Sequence, residues 1–171
     1  MLTVRRARQD DAEAIRAIYN EAVANTTATM DTEARTPDQQ ADWMAAHAAG
    51  GRWAALVAEE AENGRVVGYA SLSPFSPKPG YATTAEVSVY VHCDARGHGV
   101  GKHLLAALVD AARQNDFAAL YASISADNET SLKLHAAAGF FVVGTLRRVG
   151  RKFDAWVDVT LMQCLLEDAA A

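Results

Sequence analysis

The sequence predicts a mixed α/β domain in which helices cover both faces of one sheet. Apolar residues follow the strand period in some segments and the helix period in others, and Gly, Pro and Asn separate these segments. The predicted element order is β-α-α-β-β-β-α-β-α-β-β, which favours a single layered core. A chain of 171 residues, half of them apolar, is long enough for one domain with a buried core.

The first third of the chain predicts one strand and two helices. Residues 2–7 alternate as a short strand, and residues 11–25 place apolar side chains at helical spacing. Residues 25–36 are polar and lack a period, so we expect a loop. Pro37 suits the first turn of a second helix, which we expect to run until Gly50-Gly51.

Three strands are expected next, over residues 53–60, 65–73 and 86–92. Asn63-Gly64 between the first two is a strong hairpin signal. The prolines of residues 73–81 exclude a central strand and predict an irregular loop.

The second half predicts two helices with one strand between them, followed by a closing hairpin of two strands. We expect helices over residues 100–115 and 128–138, and strands over residues 118–126, 140–149 and 156–166. The segment GRKFDA is expected to join the last two strands.

Composition limits the functional classes. A net charge of −5 argues against a general nucleic-acid binder. Cys93 and Cys164 are far apart, which favours free thiols in a reducing cytoplasm. We see neither a signal sequence nor an apolar run that could cross a membrane, so we expect a cytoplasmic protein. The histidines show no metal-ligand spacing, and we expect no metal site.

The most informative stretch joins the strand Val87–Val91 to a helix through a basic, Gly-rich turn. Its key residues are Arg96, Gly97, Gly99 and Gly101. Such a turn directs several backbone N–H groups toward the positive end of a helix dipole. It predicts a cradle for an anion, most simply a phosphate.

Two nucleotide-binding motifs fail here. A Rossmann fingerprint needs a glycine where this chain has Lys102. A Walker A loop needs a glycine in place of Arg96 and a hydroxyl in place of His103. The remaining alternative to an anion site is a tight turn without a ligand.

The segment Arg96-Gly97-His98-Gly99-Val100-Gly101 resembles R/Q-x-x-G-x-G/A, the pyrophosphate loop of the GNAT superfamily of N-acetyltransferases. The preceding VSVYVH resembles the strand that carries acetyl-CoA in that fold. Asn128, Ser131 and the closing AAAGF resemble its N-x-x-S…GF segment. The ending VG-x-KF…W-x-D…M is similar to the branch of phosphinothricin, methionine sulfone and methionine sulfoximine acetyltransferases.

This resemblance implies a GNAT fold over a single domain, residues 1–171. Its sheet would be mixed and mostly antiparallel, with about seven twisted strands and about four helices. A bulge would splay the central strands and admit the cofactor. The resemblance also implies acetyl-CoA as co-substrate, a small-molecule amine as acceptor and a homodimer. The net charge and the lack of an apolar run that could span a bilayer favour neither a nucleic-acid nor a membrane partner.

The implied activity is acetyl transfer to the α-amino group of a small amino acid or analogue. Acetylation of protein N-termini or polyamines is the alternative within enzymes. A non-catalytic acyl-CoA-binding domain is the alternative outside them. The Pro-rich loop and Lys78 favour a closed pocket for an anionic acceptor.

The resemblance implies Glu86 as general base and His135 as acid for the departing thiolate. The cofactor-binding candidates are Val89, Tyr90, Val91, Arg96, Gly97, His98, Gly99, Val100, Gly101, Lys102, Asn128 and Ser131. A backbone N–H near Val89 would face the thioester carbonyl. The residues alone leave open that Glu86 is a solvated strand end, that His135 only packs, and that Asn128 is a helix cap.

The acceptor side is expected in the loops of residues 25–36 and 74–84 and near the last hairpin. Its candidates are Met30, Phe75, Lys78, Tyr81, Thr83, Thr84, Lys152 and Trp156. The chain has Ala82-Thr83 where the sulfone and sulfoximine relatives carry Arg-Tyr. We therefore expect Lys78 to meet the acceptor carboxylate.

Overall fold

The computed structural model describes residues 1–166, which form one seven-stranded sheet with helices on both faces. The strands are β1 (Leu2–Arg6), β2 (Ala55–Glu60), β3 (Val66–Pro74), β4 (Thr84–Val91), β5 (Ala119–Ser125), β6 (Phe141–Lys152) and β7 (Ala155–Leu165). The helices are α1 (Ala12–Asn25), α2 (Pro37–Ala46), α3 (Val100–Gln114) and α4 (Glu129–Ala137). The predicted element order is confirmed.

The sheet is mixed and mostly antiparallel, as expected. Its strand order is β1-β2-β3-β4-β5-β7-β6, and β4 with β5 is the one parallel pair among the described strands.

Strand alternation divides the core between the two faces, as β2 illustrates. Leu56 and Ala58 pack in the cluster that contains the apolar face of α3. Ala55 and Val57 point the other way, into the cluster formed with α1 and α2. Because successive strand residues face opposite sides, one strand serves both cores.

Two boundaries differ from the sequence-based expectation by more than two residues. Helix α2 ends at Ala46, before Gly50, because His47 leaves the helical conformation, with φ of −113° and ψ of 29°. The ring of His47 contacts the carbonyl oxygens of Trp43 at 2.8 Å and Leu72 at 3.1 Å. Strand β6 continues to Lys152, and the hairpin turns at Phe153 and Asp154, whose φ angles are +50° and +58°. The connection is therefore shorter than the expected GRKFDA segment.

The central splay is present, but it does not arise from a bulge in β4. Strands β4 and β5 pair only at Thr84, Ala85 and Glu86. The β3–β4 register runs unbroken, and the register shifts of the described strands lie in the β2–β3 and β6–β7 pairs. The expectation of a bulge was wrong. Strand β4 stays paired with β3 and strand β5 stays paired with β7, so β4 and β5 diverge after Glu86.

Candidate active site

The divergence leaves one edge of β4 unpaired from Val87 onward. The N–H of His92 donates to the carbonyl of Val67 on β3. Because backbone groups alternate sides along an antiparallel strand, those of Val89 and Val91 face the gap toward β5. The backbone of Tyr90 faces β3. An extended ligand with amide groups can therefore pair with Val89 in the gap.

Two adjoining cavities occupy this gap. The smaller, of about 250 Å³, contains Glu86 and His135, and the larger, of about 870 Å³, reaches the Gly-rich turn. Both are lined by Val89, Tyr90, Asn128 and Ser131, as well as by Thr27 and Ala28. They form one cleft that runs from the carboxylate to the cradle.

The Gly-rich turn has the geometry of an anion site. Gly97 and Gly99 both have φ of +80°, a conformation that L side chains rarely adopt, and α3 begins at the next residue, Val100. Among the described residues, the backbone N–H groups of residues 97–102 have no hydrogen-bond acceptor. This donor set fits the diphosphate of a coenzyme A molecule.

The two charged residues of the turn, Lys102 and Arg96, have different roles. Lys102 is exposed and lines the large cavity, where its ammonium is available to an anion. Arg96 also lines it, but its guanidinium donates to Glu21 at 2.6 Å and to the carbonyl of Val91 at 3.1 Å. Arg96 thus ties the turn to α1 and β4. His98 is exposed and lines neither cavity.

Glu86 lies half-buried in the wall of the small cavity. Its carboxylate has no hydrogen bond or ion pair with any described residue. Burial raises its pKa above that of an ordinary glutamate, and nothing nearby opposes this shift. An unpaired carboxylate of this kind is suited to accept a proton.

His135 is buried at the end of α4 and lines the same cavity. Its Nδ1 lies 2.8 Å from the carbonyl oxygen of Ser131, and its ring packs edge-to-face on Phe140. Burial lowers the pKa of the imidazole, which the Ser131 contact partly offsets. The neutral ring donates from Nδ1, so the nitrogen left for the cavity is Nε2.

Asn128 performs the capping role that the sequence left open. Its side-chain oxygen accepts from the N–H of Ser131 at 3.1 Å at the start of α4. Because both residues also line the two cavities, capping and ligand contact are compatible.

Of the acceptor candidates, Met30 is the one that lines either of these two cavities. Lys152 is buried, and its Nζ donates to the carbonyl of Thr29 at 2.8 Å. Burial lowers the pKa of Lys152, and the charge of Asp31 opposes the shift. The other candidates lie outside both cavities: Phe75, Lys78, Tyr81, Thr83, Thr84 and Trp156.

Two of those outlying residues still approach the site. The ring of Phe75 packs against Tyr81 at 5.4 Å and Tyr121 at 5.2 Å between centroids. Tyr121 is paired in register with Glu86. The aromatic cluster of Phe75, Tyr81 and Tyr121 therefore adjoins Glu86, where β4 and β5 are still paired.

The sequence analysis did not single out five of the hydroxyl-bearing residues of the small cavity. These are Thr27, Thr29, Ser88, Ser123 and Ser125. The period-two pattern of residues 118–126 could have placed the two β5 serines on one face, together with Tyr121. The threonines lie in an aperiodic loop and carry no such signal.

One surface cluster combines side chains that can bind metals. The potential ligand atoms of His92, Cys93 and Asp94 lie within 4.8 Å of one another on the surface. Within residues 1–166, helices that combine the length and the apolar character needed to cross a bilayer are absent.

Comparison with known proteins now identifies the family. Residues 4–161 match the family model described as Acetyltransferase (GNAT) domain. The chain is 42% identical to a phosphinothricin N-acetyltransferase of Streptomyces coelicolor, over 91% of both proteins. It is 39% identical to an L-methionine sulfoximine/L-methionine sulfone acetyltransferase of Salmonella typhimurium, over 99% of this chain and 98% of the relative.

A solved structure supports the same family. An acetyltransferase from Salmonella typhimurium, solved with its cofactor acetyl-CoA, superimposes with a TM-score of 0.94 at 38% identity and covers all of this chain and 97% of its own. With the family model and the relatives, this shows that the chain belongs to the GNAT family of acetyltransferases.

Proposed function

We propose that this protein transfers an acetyl group from acetyl-CoA to the α-amino group of a small amino acid or analogue. The relatives named for phosphinothricin and for methionine sulfoximine or sulfone support acceptors of that kind. The observation that carries the proposal is the unpaired carboxylate of Glu86, in a cleft continuous with the cradle of free N–H groups.

Acetyl-CoA supplies a thioester, which activates the acetyl group for attack by an amine. The N–H groups of residues 97–102 and the ammonium of Lys102 bind its diphosphate. The backbone of Val89, at the open edge of β4, pairs with the pantetheine amides. Asn128 and Ser131 contact the same arm from α4. Together these residues place the acetyl end beside Glu86.

Glu86 is the proposed general base. The acceptor arrives as an ammonium, and Glu86 takes a proton from it, directly or through a water molecule. The free amine then forms a C–N bond as the C–S bond breaks, and the nitrogen releases its second proton to solvent to give the neutral amide. The departing thiolate takes a proton, and His135 is the proposed donor. Since Nδ1 is held by Ser131, only Nε2 serves this step, and it donates when the ring is protonated.

The same proposal includes one domain over residues 1–171, a cytoplasmic location and a homodimer. Exposed apolar side chains on the last hairpin support a protein contact there, including Val142, Val149 and Trp156.

The proposal is tested by thiol release from acetyl-CoA with Glu86→Gln. We expect activity with methionine sulfone, methionine sulfoximine or phosphinothricin to fall by about 10²–10⁴-fold while CoA binding is retained. Glu62→Gln changes an exposed carboxylate and is the control. Full activity in Glu86→Gln would refute the base assignment. Peptides and polyamines in the same assay test the other enzymatic acceptors. CoA binding without turnover of any amine would indicate a non-catalytic domain.

A further inference from the structure

A loop between the first two helices covers the small cavity. We call residues 26–36 the covering loop; its residues Thr27 to Met30 line the cavity together with Glu86. On the α1 side, the hydroxyl of Tyr19 contacts Thr29 Oγ1 at 3.0 Å and donates to Asp31. The position of this loop therefore defines one wall beside the carboxylate.

The other side of the covering loop rests on the end of β6. Lys152 extends its ammonium to the backbone carbonyl of Thr29, 123 positions earlier in the chain, at 2.8 Å. Lys152 is only 4% exposed, so this charged group is held in a site with little access to water. Burying an ammonium is costly unless it has partners, and the Thr29 carbonyl is one. The contact fixes the loop backbone immediately before Met30.

Two residues before Lys152, Gly150 makes room for Met30. A Cβ placed on Gly150 would lie 2.6 Å from the Met30 sulfur, closer than real contacts of this kind. The φ angle of Gly150 is not in the left-handed region. The backbone would therefore accept alanine, and the obstacle to a Cβ is the flexible Met30 side chain, which would have to shift.

We propose that Gly150 and Lys152 are positioning residues that hold Met30 and Thr29, and that they thereby determine which acceptor side chains fit beside Glu86. This gives a physical role to the VG-x-KF motif, here Val149 to Phe153, which the reaction chemistry does not use. The inference rests on the proposed function, because it assigns the wall of the acceptor site.

The first test is Gly150→Ala, with Gly144→Ala as its control. Gly144 lies on the same strand, and a Cβ there meets nothing within 4 Å. In Gly150→Ala, Met30 moves away from β6. We expect the ratio of kcat/KM for methionine sulfone to that for alanine to fall by about tenfold. The Kd for CoA and the ratio in Gly144→Ala stay at wild-type values. An unchanged ratio in Gly150→Ala would overturn the proposal.

A double-mutant cycle isolates the contact. In a Met30→Ala background the sulfur is gone, so Gly150→Ala should cause no further loss of unfolding free energy. This readout needs no activity, so it separates the contact from the proposed function. If Gly150→Ala alone folds poorly, the double variant should regain folding. Destabilisation that persists in the Met30→Ala background contradicts the role of Met30.

Lys152 is tested with Lys152→Met, which keeps most of the side-chain volume but loses the donor. We expect KM for the acceptor to rise about tenfold with little change in the Kd for CoA. Lys133→Met removes an exposed lysine paired with Glu129 and is the control. A wild-type acceptor KM in Lys152→Met, or an equal rise in both variants, contradicts the inference. Absence of turnover in the wild-type protein would refute the proposed function instead.

Discussion

Gly97→Ala tests whether the Gly-rich turn binds the diphosphate through its backbone. Gly97 has φ of +80°, and an added Cβ would meet no protein atom within 4 Å. The substitution therefore has two separable effects. It strains the backbone, and it places a methyl group where the ligand must approach the N–H groups.

The two effects have different magnitudes and different controls. A left-handed φ costs an alanine about 1–2 kcal/mol, which in a chain of this size lowers Tm by about 2–8 °C. Loss of one charge-assisted hydrogen bond to the diphosphate costs about 1.5–3 kcal/mol, or about 10–100-fold in Kd. Gly64→Ala carries the same strain, at φ of +69° and with open space, but lies in the β2–β3 turn away from the cleft.

The assay pairs thermal unfolding with calorimetric titration of CoA. We expect both variants to lose similar stability, and Gly97→Ala alone to lose CoA affinity. Wild-type affinity in Gly97→Ala would refute the cradle, and equal losses of affinity in both variants would attribute the effect to strain.

Two further predictions concern pH. Burial raises the pKa of Glu86, so kcat/KM should be retained above that pKa and lost as the pH falls through it. The acid limb of the pH profile should therefore lie at a higher pH than an ordinary glutamate would give. This limb should be absent from the residual activity of Glu86→Gln. Burial lowers the pKa of His47, although its carbonyl contacts oppose this. The unfolded chain then binds more protons below about pH 6.5, and the unfolding free energy should fall as the pH drops from 7 to 5. His47→Gln should reduce this slope, as measured by urea titration at each pH, and His135 contributes to the remainder.

Local patterns were sufficient to predict the framework of the site. Strand alternation and helical spacing gave the element order, because the buried face of each element repeats at its own period. The alternate glycines predicted the tight turn, since Gly97 and Gly99 adopt a φ that other residues avoid, and anion binding by this turn stays a prediction. Glu86 and His135 were both expected at the site, and both line the small cavity.

Contacts between distant segments could not be predicted in this way. Arg96 was expected to face the diphosphate, but Glu21, 75 positions away, binds its guanidinium. Lys152 was expected to line the acceptor pocket, and its ammonium instead holds the backbone of the covering loop. Such pairings depend on how strands diverge and where loops cross them, and no local period encodes that geometry.

The most direct measurement is a crystal structure of the protein with CoA and a slowly reacting acceptor. We predict the diphosphate on the N–H groups of residues 97–102, the pantetheine along the open edge of β4, and the acceptor nitrogen within hydrogen-bond reach of Glu86. A diphosphate bound elsewhere, or an acceptor remote from that carboxylate, would contradict the central claim.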